Sequence, residues 1–93
     1  MRTISKELYT DLAITFYEQP HRHVHDLKRG LLEEAQEVVD ATGRENFIEE
    51  LGDVLWYITV LADNADLSLG EIMLANINKL ERRMLNGKTP KEV

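Results

Sequence analysis

A small all-α domain of four helices is the fold class the sequence predicts, and three features predict it. Apolar residues recur at three- and four-residue spacing along most of the chain. The 93 residues include only 5 Gly and 2 Pro, too few for a turn-rich sheet. Val, Ile and Thr are scattered rather than alternating with polar residues, which leaves little room for strands.

The first helix is predicted from about Ser5 to Glu18, because Leu8, Leu12 and Phe16 recur every four residues with Tyr9 and Ala13 beside them. Pro20 ends it, and Gln19-Pro20-His21-Arg22-His23 is a short polar linker. The second helix runs from about Val24 to Ala41, with Thr42-Gly43 as its stop. The third starts near Asn46, where Asn46-Phe47-Ile48-Glu49 has the form of a capping box, and continues to about Ala65. Ser68-Leu69-Gly70-Glu71 opens the fourth with the same device; that helix runs to about Asn86, and Gly87 closes it. Residues 88–93 form a loose tail. Short connections make consecutive helices antiparallel neighbours in a bundle. The length sets a single domain over residues 1–93. A core this small is thin, so the bundle is expected to be completed by oligomerisation.

Composition excludes several function classes. With 17 acidic against 11 basic residues the net charge is −6, which makes the chain a poor binder of nucleic acid backbone. Without Cys there is no disulfide scaffold, thiol nucleophile or thiolate zinc site. No apolar run approaches the roughly 18–20 residues that span a bilayer, so no membrane partner is expected. Met1-Arg2-Thr3-Ile4-Ser5-Lys6-Glu7 lacks the apolar stretch of a secretory signal, and a cytoplasmic location is expected. The sequence has no Gly-rich phosphate loop, HExxH helix or serine elbow.

The chemistry lies in a duplicated acidic stripe. At about 100° per residue, Leu27, Leu31, Ala35, Val38 and Val39 form an apolar arc on the second helix, with Glu34 at its edge and Glu37 one step further round. On the third helix Phe47, Leu51, Val54, Leu55 and Ile58 form the matching arc, and Glu50 and Asp53 take the same two angles. The offset is 16 residues throughout: Leu31 with Phe47, Glu34 with Glu50, Glu37 with Asp53, Val38 with Val54. When the arcs pack, the edges face each other, and each i,i+3 pair holds its Cβ atoms roughly 5–6 Å apart. Four carboxylates then converge on one volume. Like charges so placed raise one another's pKa, and a hard divalent cation such as Mg²⁺ or Mn²⁺ relieves them. Glu33, Glu49 and Asp40 sit away from the arc and fit a solvated face.

Other features accompany the stripe. Residues 31–53 carry 8 acidic residues and 1 basic; residues 79–91 carry 5 basic and 1 acidic. On the fourth helix Asn76, Lys79 and Arg83 line the edge of an arc formed by Leu69, Ile72, Met73, Leu80 and Met84. Such a rim suits phosphate oxygens, although cations in a helix's last turns also answer its dipole. Trp56 and Val60 lie on the back of the third helix, and a second subunit is the expected cover. Gly30 and Gly52 are placed to let helices approach closely near the carboxylates. His21, His23 and His25 straddle a loop and a helix start and fit a surface better than a metal site.

Glu33-Glu34-x-x-Glu37, then twelve residues, then Glu50-x-x-Asp53, resembles the signature of the all-α NTP pyrophosphatases, particularly their MazG-like branch. The downstream Asn76-x-x-Lys79-x-x-Arg82-Arg83 resembles that family's last helix, and the likeness extends over roughly Leu27 to Arg83. The resemblance implies a Mg²⁺-dependent hydrolase that cleaves a nucleoside triphosphate, or its deoxy form, to the monophosphate and pyrophosphate. It implies a homodimer or homotetramer. By motif position Glu34, Glu37, Glu50 and Asp53 are implied as metal ligands and catalytic residues. Glu33 is implied as an accessory catalytic acid, and Asn76, Lys79 and Arg83 as substrate contacts. No motif assigns Tyr9, Phe16 or Tyr57, each of which could stack on a base. A binding module for nucleotides, or a helical dimerisation module, without turnover is the alternative reading of the same bundle.

Overall fold

The computed structural model describes residues 3–16 and 24–87. Those residues form four helices: α1 (Lys6–Thr15), α2 (Val24–Asp40), α3 (Arg44–Asn64) and α4 (Leu69–Leu85). The all-α class and the four-helix order follow the sequence reading. The predicted linker 19–23, with His21 and His23, and the tail 88–93 lie outside the described residues. His25 is exposed on the first turn of α2.

Ser5 caps α1, its Oγ accepting from the Leu8 N–H at 3.1 Å. α1 ends at Thr15 with Phe16 as C-cap, short of the Glu18 expected from periodicity. At α4 both halves of the capping box are present: Ser68 Oγ accepts from the Glu71 N–H at 3.1 Å, and the Ser68 N–H donates to Glu71 Oε2 at 2.9 Å. Gly87 closes the helix at φ +76°, its N–H donating to the Met84 carbonyl at 3.0 Å.

The start of α3 corrects the sequence reading. The helix begins at Arg44, its N-cap is Gly43 at φ +80°, and no side chain caps it. Asn46 is already helical, and its side chain is used elsewhere, as described below. A glycine takes the left-handed turn, so the chain re-enters a helix after three residues. The other end of α3 is a Schellman motif built on Asp66 rather than glycine. Asp66 has φ +58°, the Leu67 N–H donates to the Ala62 carbonyl at 2.8 Å, and the Asp66 N–H to that of Asp63 at 3.0 Å.

α2 and α3 pack along their length as a helical hairpin; α1 lies against α3, and α4 rests chiefly on α1. Leu27 (0% exposed), Val60 (1%), Ala13 and Ala62 make the core. The Thr59 hydroxyl, also buried, donates to the Leu55 carbonyl at 2.8 Å and so carries no unmet donor. Trp56 Nε1–H donates to the Ala13 carbonyl at 3.1 Å. Thus α1, within the same chain, covers the back of α3, where a second subunit was expected over Trp56 and Val60. What stays open is the other side: Phe47, Leu51 and Leu55 are 41–45% exposed. The radius of gyration is 15.1 Å, against about 12 Å for a fully compact domain of this length. Helix packing leaves much apolar surface uncovered in one chain.

At Gly30 a side chain of α3 comes down close on α2. A Cβ there would fall 2.5 Å from Tyr57 Cζ and 2.7 Å from its Oη, so the Tyr57 ring lies directly on the α2 backbone. Gly52 has no such role, since a Cβ on it meets nothing within 4 Å. Of the two glycines expected to permit close packing, only Gly30 does so.

Candidate metal centre

The hairpin carries the acidic stripe. Glu34 and Glu37 are one turn apart on α2, and Glu50 and Asp53 one turn apart on α3. Each offers one carboxylate oxygen, and these four atoms lie within 4.8 Å of one another. Glu34 and Glu50 are half-buried on the inner side; Glu37 and Asp53 are exposed at the mouth. The equal angles read from the sequence therefore become a single cluster.

The cluster is electrostatically frustrated. Glu50 is held above the ordinary carboxylate range, first by a side-chain hydrogen bond with Glu37, then by burial and by the negative charges of Glu37 and Asp53. The Asn46 amide opposes the shift; its Nδ2 donates to Glu50 Oε1 at 3.3 Å. With the carboxylates ionised, Oε2 of Glu34 and Oε2 of Glu50 are buried and face no hydrogen-bond donor. Sharing a proton between Glu37 and Glu50 relieves part of this. A divalent cation held among the four oxygens would offset more of the charge. An all-carboxylate donor set with buried lone pairs left over suits a hard ion such as Mg²⁺ or Mn²⁺ and offers nothing to a soft one.

The remaining predicted residues are dispersed. Glu33 is exposed on α2 and lies outside the four. Lys79 and Arg83 are half-buried on α4 and Asn76 is exposed there. α4 shares no extended contact with α2. One chain thus assembles the carboxylates, while the cationic stripe sits on a separately packed helix.

Two contributors escaped the motif reading. Asn46, read as a cap, is a hydrogen-bond partner of the cluster; its i,i+4 spacing from Glu50 was the available signal. Tyr9 of α1, which packs against α3, has its hydroxyl pKa raised by burial and by the charge of Asp53. Only tertiary packing reveals that neighbour.

A helical hairpin on which two pairs of carboxylates converge defines a class: an all-α domain with an acidic cluster whose geometry could hold a divalent cation. Residues 22–87 match the model of the MazG nucleotide pyrophosphohydrolase domain, and the chain belongs to that family. Among individual proteins it is similar to the Gene 37 protein of Mycobacterium phage L5, 35% identical over 57 residues, 61% of this chain and 50% of that one. It is 38% identical over 64 residues to the phosphoribosyl-ATP pyrophosphatase of Pyrobaculum islandicum, covering 66% of this chain and 64% of that enzyme. It is 47% identical over 51 residues to the histidine biosynthesis bifunctional protein HisIE of Pyrococcus furiosus, 55% of this chain and 22% of that protein. The chain thus spans less than two thirds of each of these relatives. No solved structure matches it significantly. Among the described residues, no helix is long and apolar enough to cross a membrane.

Proposed function

We propose that the protein is a Mg²⁺-dependent nucleoside triphosphate pyrophosphohydrolase, converting an NTP or dNTP to the monophosphate and pyrophosphate. The observation that carries this reading is the convergence of Glu34, Glu37, Glu50 and Asp53 within 4.8 Å on two facing helices. Membership of a nucleotide pyrophosphohydrolase family supports it.

In this reading the four carboxylates hold Mg²⁺, with Mn²⁺ as a substitute. Held there, the ion would offset carboxylate and phosphate charge and lower the pKa of a coordinated water. A water oxygen forms a bond to the α phosphorus as the bond from that phosphorus to the bridging oxygen breaks, and pyrophosphate leaves. Glu33, exposed on α2 and next to Glu34 in the chain, is assigned to orient the water and take its proton. Lys79 and Arg83 offset the charge gathering on pyrophosphate, with Asn76 beside them. α4 packs on α1 within one chain, and Phe47, Leu51 and Leu55 remain exposed. A homodimer or homotetramer would cover that apolar surface and close the site.

A second substrate, phosphoribosyl-ATP, is favoured by the likeness to the Pyrobaculum phosphoribosyl-ATP pyrophosphatase. The test is a panel of NTPs, dNTPs and phosphoribosyl-ATP with Mg²⁺, with products identified. Pyrophosphate and a monophosphate from at least one of them is the expected result. Folded protein that releases pyrophosphate from none is a binding module, and the enzymatic reading fails.

A further inference from the structure

We propose that Asn46 is a positioning residue for the metal centre, fixing the Glu50 carboxylate through a relay that starts at the Thr42 backbone. The inference rests on the metal-dependent reading above and adds a residue that the acidic motif does not contain.

The relay follows from donor and acceptor chemistry. The Thr42 N–H can only donate, so the atom facing it at 3.1 Å must be Asn46 Oδ1. That contact decides which way the amide is turned. Its NH₂ then points one helical turn along α3 and donates to Glu50 Oε1 at 3.3 Å. The NH₂ end can only donate, so it fixes one carboxylate oxygen of Glu50 in place. Oε1 is engaged by Asn46, while Oε2 is buried and accepts from no protein donor. Asn46 is half-buried and is the third residue of α3. The connection between α2 and α3 is thereby coupled to the orientation of a carboxylate on the hairpin's inner side.

Outer partners that orient metal ligands are worth about 10–100-fold in metal affinity. The experiment titrates Mn²⁺ into metal-stripped wild type, Asn46→Ala and Asn46→Ser by calorimetry, with the melting temperature of each metal-free protein measured alongside. The Ser hydroxyl can still accept from the Thr42 N–H but is too short to reach Glu50. Both variants are expected to bind Mn²⁺ about 10-fold more weakly. The metal-free Ser variant is expected to melt within a few degrees of wild type, and it carries the measurement if the Ala variant does not fold. In turnover, the Mg²⁺ concentration for half-maximal rate should rise while kcat at saturating Mg²⁺ is kept. A folded Ser variant that binds Mn²⁺ within twofold of wild type overturns the relay and leaves the metal centre standing. Wild type that binds no Mn²⁺ overturns the metal centre, and the relay with it.

Discussion

α4 begins with both halves of a capping box and ends on a left-handed glycine, whereas α3, which carries half the carboxylates, begins on Gly43 with no side-chain cap. The two helices are specified differently. None of α4's residues is buried, so its local end signals do much to define it. α3 buries Thr59, Val60 and Ala62 and is packed by α2 on one side and α1 on another. There, tertiary contacts outrank local ones, and Asn46, a residue with capping chemistry, is used to hold a carboxylate instead. The contrast separates a region built for packing and charge, the hairpin, from an arm whose form is set by its own ends.

The largest expected effect tests whether function follows the same division. Glu37→Gln and Asp53→Asn remove one charge each from the cluster. Turnover should fall on the order of 100-fold or more, comparable to deleting a group that stabilises transition-state charge. The metal-free variants should melt at the same temperature as wild type or higher, because each relieves like-charge repulsion. Lys79→Ala and Arg83→Ala on α4 should cost less, about 10-fold in kcat/KM, if they bind phosphate without holding metal. Steady-state kinetics beside thermal melts checks both. Full turnover from the carboxylate variants, with the α4 variants inactive, reverses the assignment.

A smaller effect separates the regions by stability alone. Gly30→Ala drives a methyl into the Tyr57 ring and should destabilise by about 1–3 kcal/mol, as overpacking does. Gly70→Ala near the start of α4 meets Ser68 Oγ at an ordinary contact distance of 3.7 Å and the far end of the Lys6 side chain at 3.2 Å. That chain can swing aside, so the substitution should be neutral or stabilise by a few tenths of a kcal/mol through helix propensity. Denaturant melts of the pair measure the difference. Equal and small effects would mean that Tyr57 moves freely off α2 and that the hairpin seam is looser than its geometry.

How much of this was legible in the sequence follows the same line. The 16-residue duplication of Leu31, Glu34, Glu37 and Val38 in Phe47, Glu50, Asp53 and Val54 predicted the cluster, because two helices with equal angular patterns have few ways to pack. The Ser68–Glu71 box was legible because its partners are three residues apart. The cover over Trp56 was not, since the Ala13 carbonyl lies 43 residues away and no periodicity announces a side chain bonding to a distant backbone oxygen. Gly30 and Gly52 look alike in sequence; only the Tyr57 ring distinguishes them. The influence of Asp53 on Tyr9 likewise depends on how α1 leans on α3.

The subtlest expected effect is on pH. Glu50 has its pKa raised in the folded protein above the ordinary 4.5, so between 4.5 and its folded value the native state holds more protons than the unfolded state. The corresponding stability is present below 4.5 and is lost as pH rises through the folded value. The metal-free protein should therefore lose melting temperature across that window as pH increases. Saturating Mn²⁺ should reverse the slope, because the cation binds the deprotonated cluster and competes with the proton. Glu37→Gln removes the carboxyl partner that contributes most to the shift and should flatten the metal-free slope. The difference between wild type and Glu37→Gln isolates this pair from the protein's other carboxylates. Parallel melting profiles for the two proteins, with and without Mn²⁺, would show that Glu37 and Glu50 do not share a proton, and the inner side of the hairpin would then be no more strained than α4.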